Sequence, residues 1–114
     1  MAKTQGKKTT RKTDAGHGMA RMVEDVVKCK WAMTVLALSR QGVRRPGAMV
    51  MSVDGLTKKV LNERLKKLVR YGVLERVAYP EIPPRVEYGL TPFGKKFIGI
   101  LDAIENLAEE RERD

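Results

Sequence analysis

The 114 residues allow one domain. An excess of 23 Lys+Arg over 14 Asp+Glu, a net charge of +9, favours an anionic partner, either nucleic acid or an anionic membrane surface. No apolar run approaches the roughly 18–20 residues of a membrane span. The lone cysteine, Cys29, excludes an intrachain disulfide and fits a reducing compartment, with the cytoplasm as the default.

Residues 1–16, MAKTQGKKTTRKTDAG, hold almost nothing apolar and set five basic side chains against Asp14. Low hydrophobicity with high charge predicts a disordered basic arm. It either adds phosphate contacts to a DNA-binding surface or serves as a solubilising tail, and it lacks the apolar stretch of a secretory signal. The domain proper is expected over residues 17–114. Its first helix is expected after Gly16-His17-Gly18, where Met19, Met22, Val23, Val26 and Val27 keep the i, i+3, i+4, i+7, i+8 spacing of one helix face. A second is predicted over residues 30–40, with Trp31, Val35 and Leu38 on one face, ending at Gln41-Gly42. Arg44-Arg45-Pro46-Gly47 opens a short third helix, about residues 46–51, since proline is tolerated in a first turn.

Residues 56–71, LTKKVLNERLKKLVRY, give the clearest pattern. Leu61, Leu65 and Leu68 recur at i, i+4 and i+7, with Lys59, Asn62, Glu63, Lys66 and Arg70 on the far face. Thr57 can accept from an orphan N–H of the first turn, and Gly72 suits the left-handed residue that ends many helices. Residues 73–79 and 85–90 are rich in β-branched and aromatic side chains, and Pro80-Glu81-Ile82-Pro83-Pro84 between them cannot be a regular strand, so a β-hairpin with a stiff loop is expected. Thr91-Pro92 then restarts helix, with an apolar stripe of Phe97, Leu101, Ile104 and Ala108 widened by Ile100 and Leu107.

Four helices, a hairpin and a last helix make an α+β, mainly α, chain with the layout of a winged helix-turn-helix: a two-stranded wing and flanking helices. An α-helix fits the DNA major groove and presents its N-terminal residues to base edges. Here those are Thr57, Lys58, Lys59, Asn62 and Glu63. Lysine can donate to guanine, asparagine can pair with adenine, and glutamate can accept from cytosine. Lys66 and Arg70 fall further along, where phosphate is the expected partner, and Arg45 joins the DNA-contacting set. Glu63 has a competing use in an i, i+4 pair with Lys59 or Lys67. Arg64 leans by periodicity to the buried side, and Arg76 reads as structural. Arg85, at the end of the stiff loop, either meets phosphate or minor groove or pairs with Glu81 or Glu87.

The apolar residues at the two ends of the domain exceed what so small a core needs. Met19, Met22, Val23 and Val26, with Ile100, Ile104 and Leu107, are therefore expected to pack against a second copy; the alternative is that the first helix folds back on the last within one chain. His17 stands alone, Cys29 has no ligand set around it, and no phosphate loop, paired-carboxylate signature or nucleophile motif appears. Neither a metal, a cofactor nor an enzymatic activity is expected.

Lys30-Trp31, the LNERLKKL helix, Gly72-Val73-Leu74-Glu75-Arg76, the PEIPPRVEY wing and Leu90-Thr91 with Gly94 together resemble the HxlR family, a branch of the MarR-like winged-helix group. The likeness spans roughly residues 19–108. It implies a dimeric DNA-binding repressor or activator. Two departures stand out. Pro46-Gly47-Ala48-Met49 replaces the aromatic usual in the scaffolding helix, and no cysteine stands ahead of the first helix where some relatives sense oxidants, so a redox role is not carried over to Cys29. The function expected is sequence-specific binding of duplex DNA, at a palindromic operator, by a homodimer. A nonspecific architectural binder and a protein-interaction winged helix are the rivals.

Overall fold

The structure is a computed structural model and describes residues 15–113. Residues 1–14, which hold most of the expected basic arm, lie outside that range. Helix α1 (Ala15–Lys28) is followed by α2 (Ala32–Arg40), α3 (Pro46–Ser52) and α4 (Lys58–Arg70), then strands β1 (Leu74–Tyr79) and β2 (Arg85–Leu90), and finally α5 (Pro92–Arg113). Helix α1 starts earlier than its glycines suggested: Gly16-His17-Gly18 is helical, not linker.

The best-patterned helix has well-satisfied ends. The Thr57 hydroxyl accepts from the Val60 N–H at 3.2 Å. At the other end Gly72 takes φ +79°, its N–H reaching the Val69 carbonyl while that of Val73 reaches Leu68, the paired bonds of a Schellman close. Leu61, Leu65 and Leu68 are fully buried. Each contributes about 1.5–3 kcal/mol of burial. Around them gather Val26, Val35, Met49, Val73, Leu74, Phe97 and Leu101, one core shared by every helix and the base of the hairpin. Met49 is the residue of α3 that reaches this core.

Helix α2 begins at Ala32, two residues later than expected, because Trp31 adopts φ +77°. A bulky residue there is uncommon and costs about 1–2 kcal/mol. Its half-buried ring packs against the core and lies across Gly55, where an added Cβ would sit 3.6 Å from the ring. The Lys30 ammonium stands over the ring, 5.5 Å from its centroid.

The hairpin pairs Leu74 with Leu90 at its base and Tyr79 with Arg85 at its outer end. The segment before α3 lies along it, since the Tyr88 N–H donates to the Arg44 carbonyl at 2.8 Å. The Arg44 guanidinium crosses Gly89, where a Cβ would meet it at 2.6 Å. Thr91 explains the L-T-x-x-G motif: its hydroxyl donates to the Gly72 carbonyl at 2.6 Å and accepts from the Gly94 N–H at 2.8 Å. Any side chain at Gly94 would run into the Val73 carbonyl.

Helix α1 is fixed to the end of α4 through Asp25, which accepts from Lys67 at 3.1 Å and from the Tyr71 hydroxyl. The Tyr71 hydrogen bond first, and the Lys67 ammonium second, hold the Asp25 carboxyl below the usual carboxylate range. The same hydrogen bond, with some burial, pushes the Tyr71 phenol up. In this arrangement Met22 and Val26 belong to the protomer's own core, at 8% and 0% exposure, which corrects their assignment to a surface for a second copy. The stripe expected along α5 also divides: Phe97 and Leu101 point inward, joined by Ile98, which the expected stripe did not include, while Ile104 and Ala108 are exposed. Everything from Ala103 to Arg113 overhangs the core.

Candidate nucleic-acid interface

With its leucines buried, α4 turns Lys58, Lys59, Asn62, Glu63, Lys66 and Arg70 to solvent. Thr57 is exposed too, one hydroxyl lone pair committed to the cap. The first turn holds no acid and instead carries Lys58 and Lys59. Two cations beside the positive end of a helix dipole repel it, an arrangement that an incoming phosphate relieves. Among the described residues none of Lys58, Lys59, Lys66 and Arg70 is in an ion pair.

The other basic residues of α4 are spent internally. Lys67 holds Asp25, and Arg64 donates to the Lys30 carbonyl at 2.8 Å, tying α4 to the α1–α2 turn. The inward lean read for Arg64 is what the structure shows. Glu63 pairs with neither Lys59 nor Lys67; its nearest cation is Arg64 at 3.8 Å. With its side chain 55% exposed, the carboxylate remains open to a new partner.

Beside the N-terminal end of α4, between α3 and the wing, opens a groove of about 810 Å³. Arg45, Lys58, Asn62, Arg76 and Arg85 converge on it, with Ala48 and Met51 from α3 and Tyr88 from β2 forming its less polar walls. Arg76 was expected to be structural, yet it is exposed and lines this groove. Alternation along β1 does not predict this, since it puts Arg76 on the same face as the buried Leu74.

Arg85 is less available than its position after the prolines suggested. Its guanidinium pairs with Glu81 at 3.1 Å, approaches Glu87 at 3.7 Å and stacks on Tyr79 at 4.1 Å. Both intramolecular alternatives are realised together, and Arg44 joins from the other side, 3.1 Å from Glu87. Sequence reasoning missed Arg44, whose contacts depend on the loop before α3 lying along β2.

Apolar side chains also remain exposed on the two end helices. Met19 and Val27 on α1 and Ile100, Ile104 and Leu107 on α5 are exposed, whereas Val23 is half-buried. Among the described residues no group of three His, Cys, Asp or Glu side chains is placed to hold a metal, and no helix is long and apolar enough to cross a membrane.

The profile of the HxlR-like helix-turn-helix family matches residues 26–114. The chain is 39% identical over 88 residues to an uncharacterized HTH-type transcriptional regulator of Synechocystis sp., covering 77% of this chain and 65% of that protein. It is 37% identical over 95 residues to the uncharacterized HTH-type transcriptional regulator YtfH of Escherichia coli, covering 79% and 75%. In three dimensions it matches a crystal structure described as a MarR-family transcriptional regulator from Enterococcus faecalis, with a TM-score of 0.72 and 29% identity over 96% of this chain and 100% of the other.

Proposed function

The chain belongs to the HxlR-like helix-turn-helix family, and from that premise we propose that it regulates transcription by binding double-stranded DNA sequence-specifically as a homodimer. Helix α4 enters the major groove with Lys58, Lys59, Asn62 and Glu63 towards base edges. Lys66 and Arg70 follow the phosphates, and Arg45 and Arg76 meet the backbone beside them. The wing lies on the flanking backbone or minor groove. Two copies related by a twofold axis read a palindromic operator, their recognition helices about one DNA turn, or ~34–36 Å, apart.

The observation that carries this reading is the division of α4: three leucines fully buried on one side, and unpaired cations with an amide on the other, opening into a cationic groove. A solvated surface helix would be expected to neutralise such cations with acids at i±4. The names of the relatives support a regulatory role, and the fold supports the groove geometry.

The decisive measurement is competition. A duplex selected from random sequence by the full chain should resist displacement by nonspecific duplex, single strands and RNA by a factor of about a thousand or more at physiological salt. Equal displacement by every competitor would instead make the protein a nonspecific charge surface.

A further inference from the structure

We propose that Ile82, at the outer end of the wing, reads the floor of the DNA minor groove and disfavours G·C pairs there; this rests on the DNA-binding reading above. Eight large apolar side chains are exposed among the described residues. Six stand on α1 and α5: Phe93 stacks on Phe97, and the proposed second copy would cover the other five. The remaining two, Met51 at 88% and Ile82 at 101%, are the most exposed of the set; Met51 stands on α3 just ahead of α4, and Ile82 in the loop at the tip of the wing. Met51 lines the cationic groove itself. Ile82 stands beyond its rim, two residues from the groove-lining Pro84.

The position of Ile82 suits a probe rather than a packing residue. Tyr79 and Arg85 form the outermost register pair, five residues from the hairpin base at Leu74 and Leu90, which is about 17 Å along the strands. Pro80, Pro83 and Pro84 surround it, and fixed proline φ angles leave little loop entropy to lose on contact.

Charge decides what the tip can touch. Its one cation, Arg85, is held by Glu81 at 3.1 Å, shared with Glu87 and stacked on Tyr79. The tip therefore offers phosphate no free positive group. It offers a branched aliphatic side chain, the kind that packs on sugar walls and the base floor of the minor groove. There A·T pairs present acceptors alone, whereas G·C adds the guanine 2-amino donor. An isoleucine laid over that amino group strips its water and supplies no acceptor, a loss of roughly tenfold in affinity.

The test uses the full chain and the duplex it selects best, with the minor-groove step under the wing located by footprinting. That step is made A·T, G·C or inosine·C; inosine lacks the 2-amino group but keeps guanine's major-groove edge. Wild type should bind the A·T and inosine·C duplexes within about twofold of each other and G·C about tenfold more weakly. Ile82→Ala should level all three to within about twofold and melt at the wild-type temperature, since a fully exposed side chain holds nothing in the core. Equal binding of G·C and inosine·C by wild type, or a tenfold gap surviving in Ile82→Ala, overturns the proposal. If no duplex is enriched at all, the DNA-binding reading fails and the wing's role fails with it.

Discussion

Asn62 and Lys66 stand one helical turn apart on the open face of α4, and the chemistry of their side chains separates what each does. An amide can make two directed hydrogen bonds to one adenine, so it carries sequence information; an ammonium on a flexible stem meets phosphate as a point charge. Asn62→Ala should cost about 1–3 kcal/mol of discrimination between selected and scrambled duplexes while sparing nonspecific binding. Lys66→Ala should weaken every duplex alike and reduce the slope of log affinity against log salt by about one. Quantitative gel shifts at several salt concentrations measure both, and small equal effects would return α4 to a solvated face. Arg85 behaves differently. Glu87 is only 17% exposed and is shared by Arg44 and Arg85, so removing the Arg85 guanidinium strips a half-buried carboxylate of one partner. Arg85→Ala should destabilise the domain by about 1 kcal/mol, a fall of about 4–8 °C in melting temperature, while reducing DNA affinity less than Lys66→Ala does. Loss of binding at an unchanged melting temperature would make it a phosphate contact after all.

At the scale of elements, the seam between α1 and α4 depends on Asp25. Its folded pKa lies below that of the unfolded chain, about 3.9, so its contribution is present above that value and is lost as pH falls through the folded one. Tyr71, raised above about 10, contributes below that value and loses its share as pH climbs through its folded pKa. Asp25→Asn should lower stability near neutral pH by about 1 kcal/mol, discounted for partial exposure. It should also flatten the melting profile below about pH 4 relative to wild type. Parallel acid limbs in the two proteins would show that the seam is held by apolar packing alone. None of this seam is legible in the sequence, because it joins residues 42 and 46 apart. What is legible is whatever local spacing determines. The leucines of α4, its Thr57 cap and its Gly72 close fall where the pattern puts them. The start of α2 does not, because the left-handed turn at Trp31 is stabilised by packing across Gly55 from another part of the chain. Likewise, periodicity finds an apolar stripe on α1 without saying which half meets the protomer's own core. It was Met22 and Val26 that did.

At the scale of the whole molecule, the last turns of α5 extend past the core, exposed from Ala103 to Arg113. An exposed helix of that kind needs either a fully polar surface or a partner, and α5 has no such surface. Ile100, Ile104 and Leu107 keep i, i+4, i+7 spacing at 47%, 46% and 66% exposure. Met19 and Val27 add to the apolar area on α1 at 36% and 51%. Soluble monomers rarely leave large contiguous apolar patches open, and a run of three exposed aliphatic side chains on one helix stripe is a candidate for cover by a partner. The charge distribution agrees: residues 31–100 carry 13 basic and 5 acidic side chains, whereas the last 14 residues carry six acids against two arginines. A second copy meeting these end helices, as proposed, would leave the cationic α4 of each protomer free for an anion. The sequence-based alternative, α1 folded back on α5 to hide both stripes, is met only in part: Met22 and Val26 join the core that holds Phe97 and Leu101, while α1 packs on α2, is bonded to α4 through Asp25, and leaves Met19 and Val27 exposed. Ile104→Lys with Leu107→Lys places two charges on the proposed seam without touching a residue of the core cluster. Sedimentation equilibrium at micromolar concentration should give a dimer for wild type and a monomer for the double variant, whose helical circular dichroism stays near wild type. The variant should still bind a single half-site duplex as wild type does, but lose about a hundredfold on the palindrome, where linking two sites gives that order of avidity. A monomeric wild type that grips the palindrome tightly would overturn the dimer and leave the apolar face of α5 to some other partner.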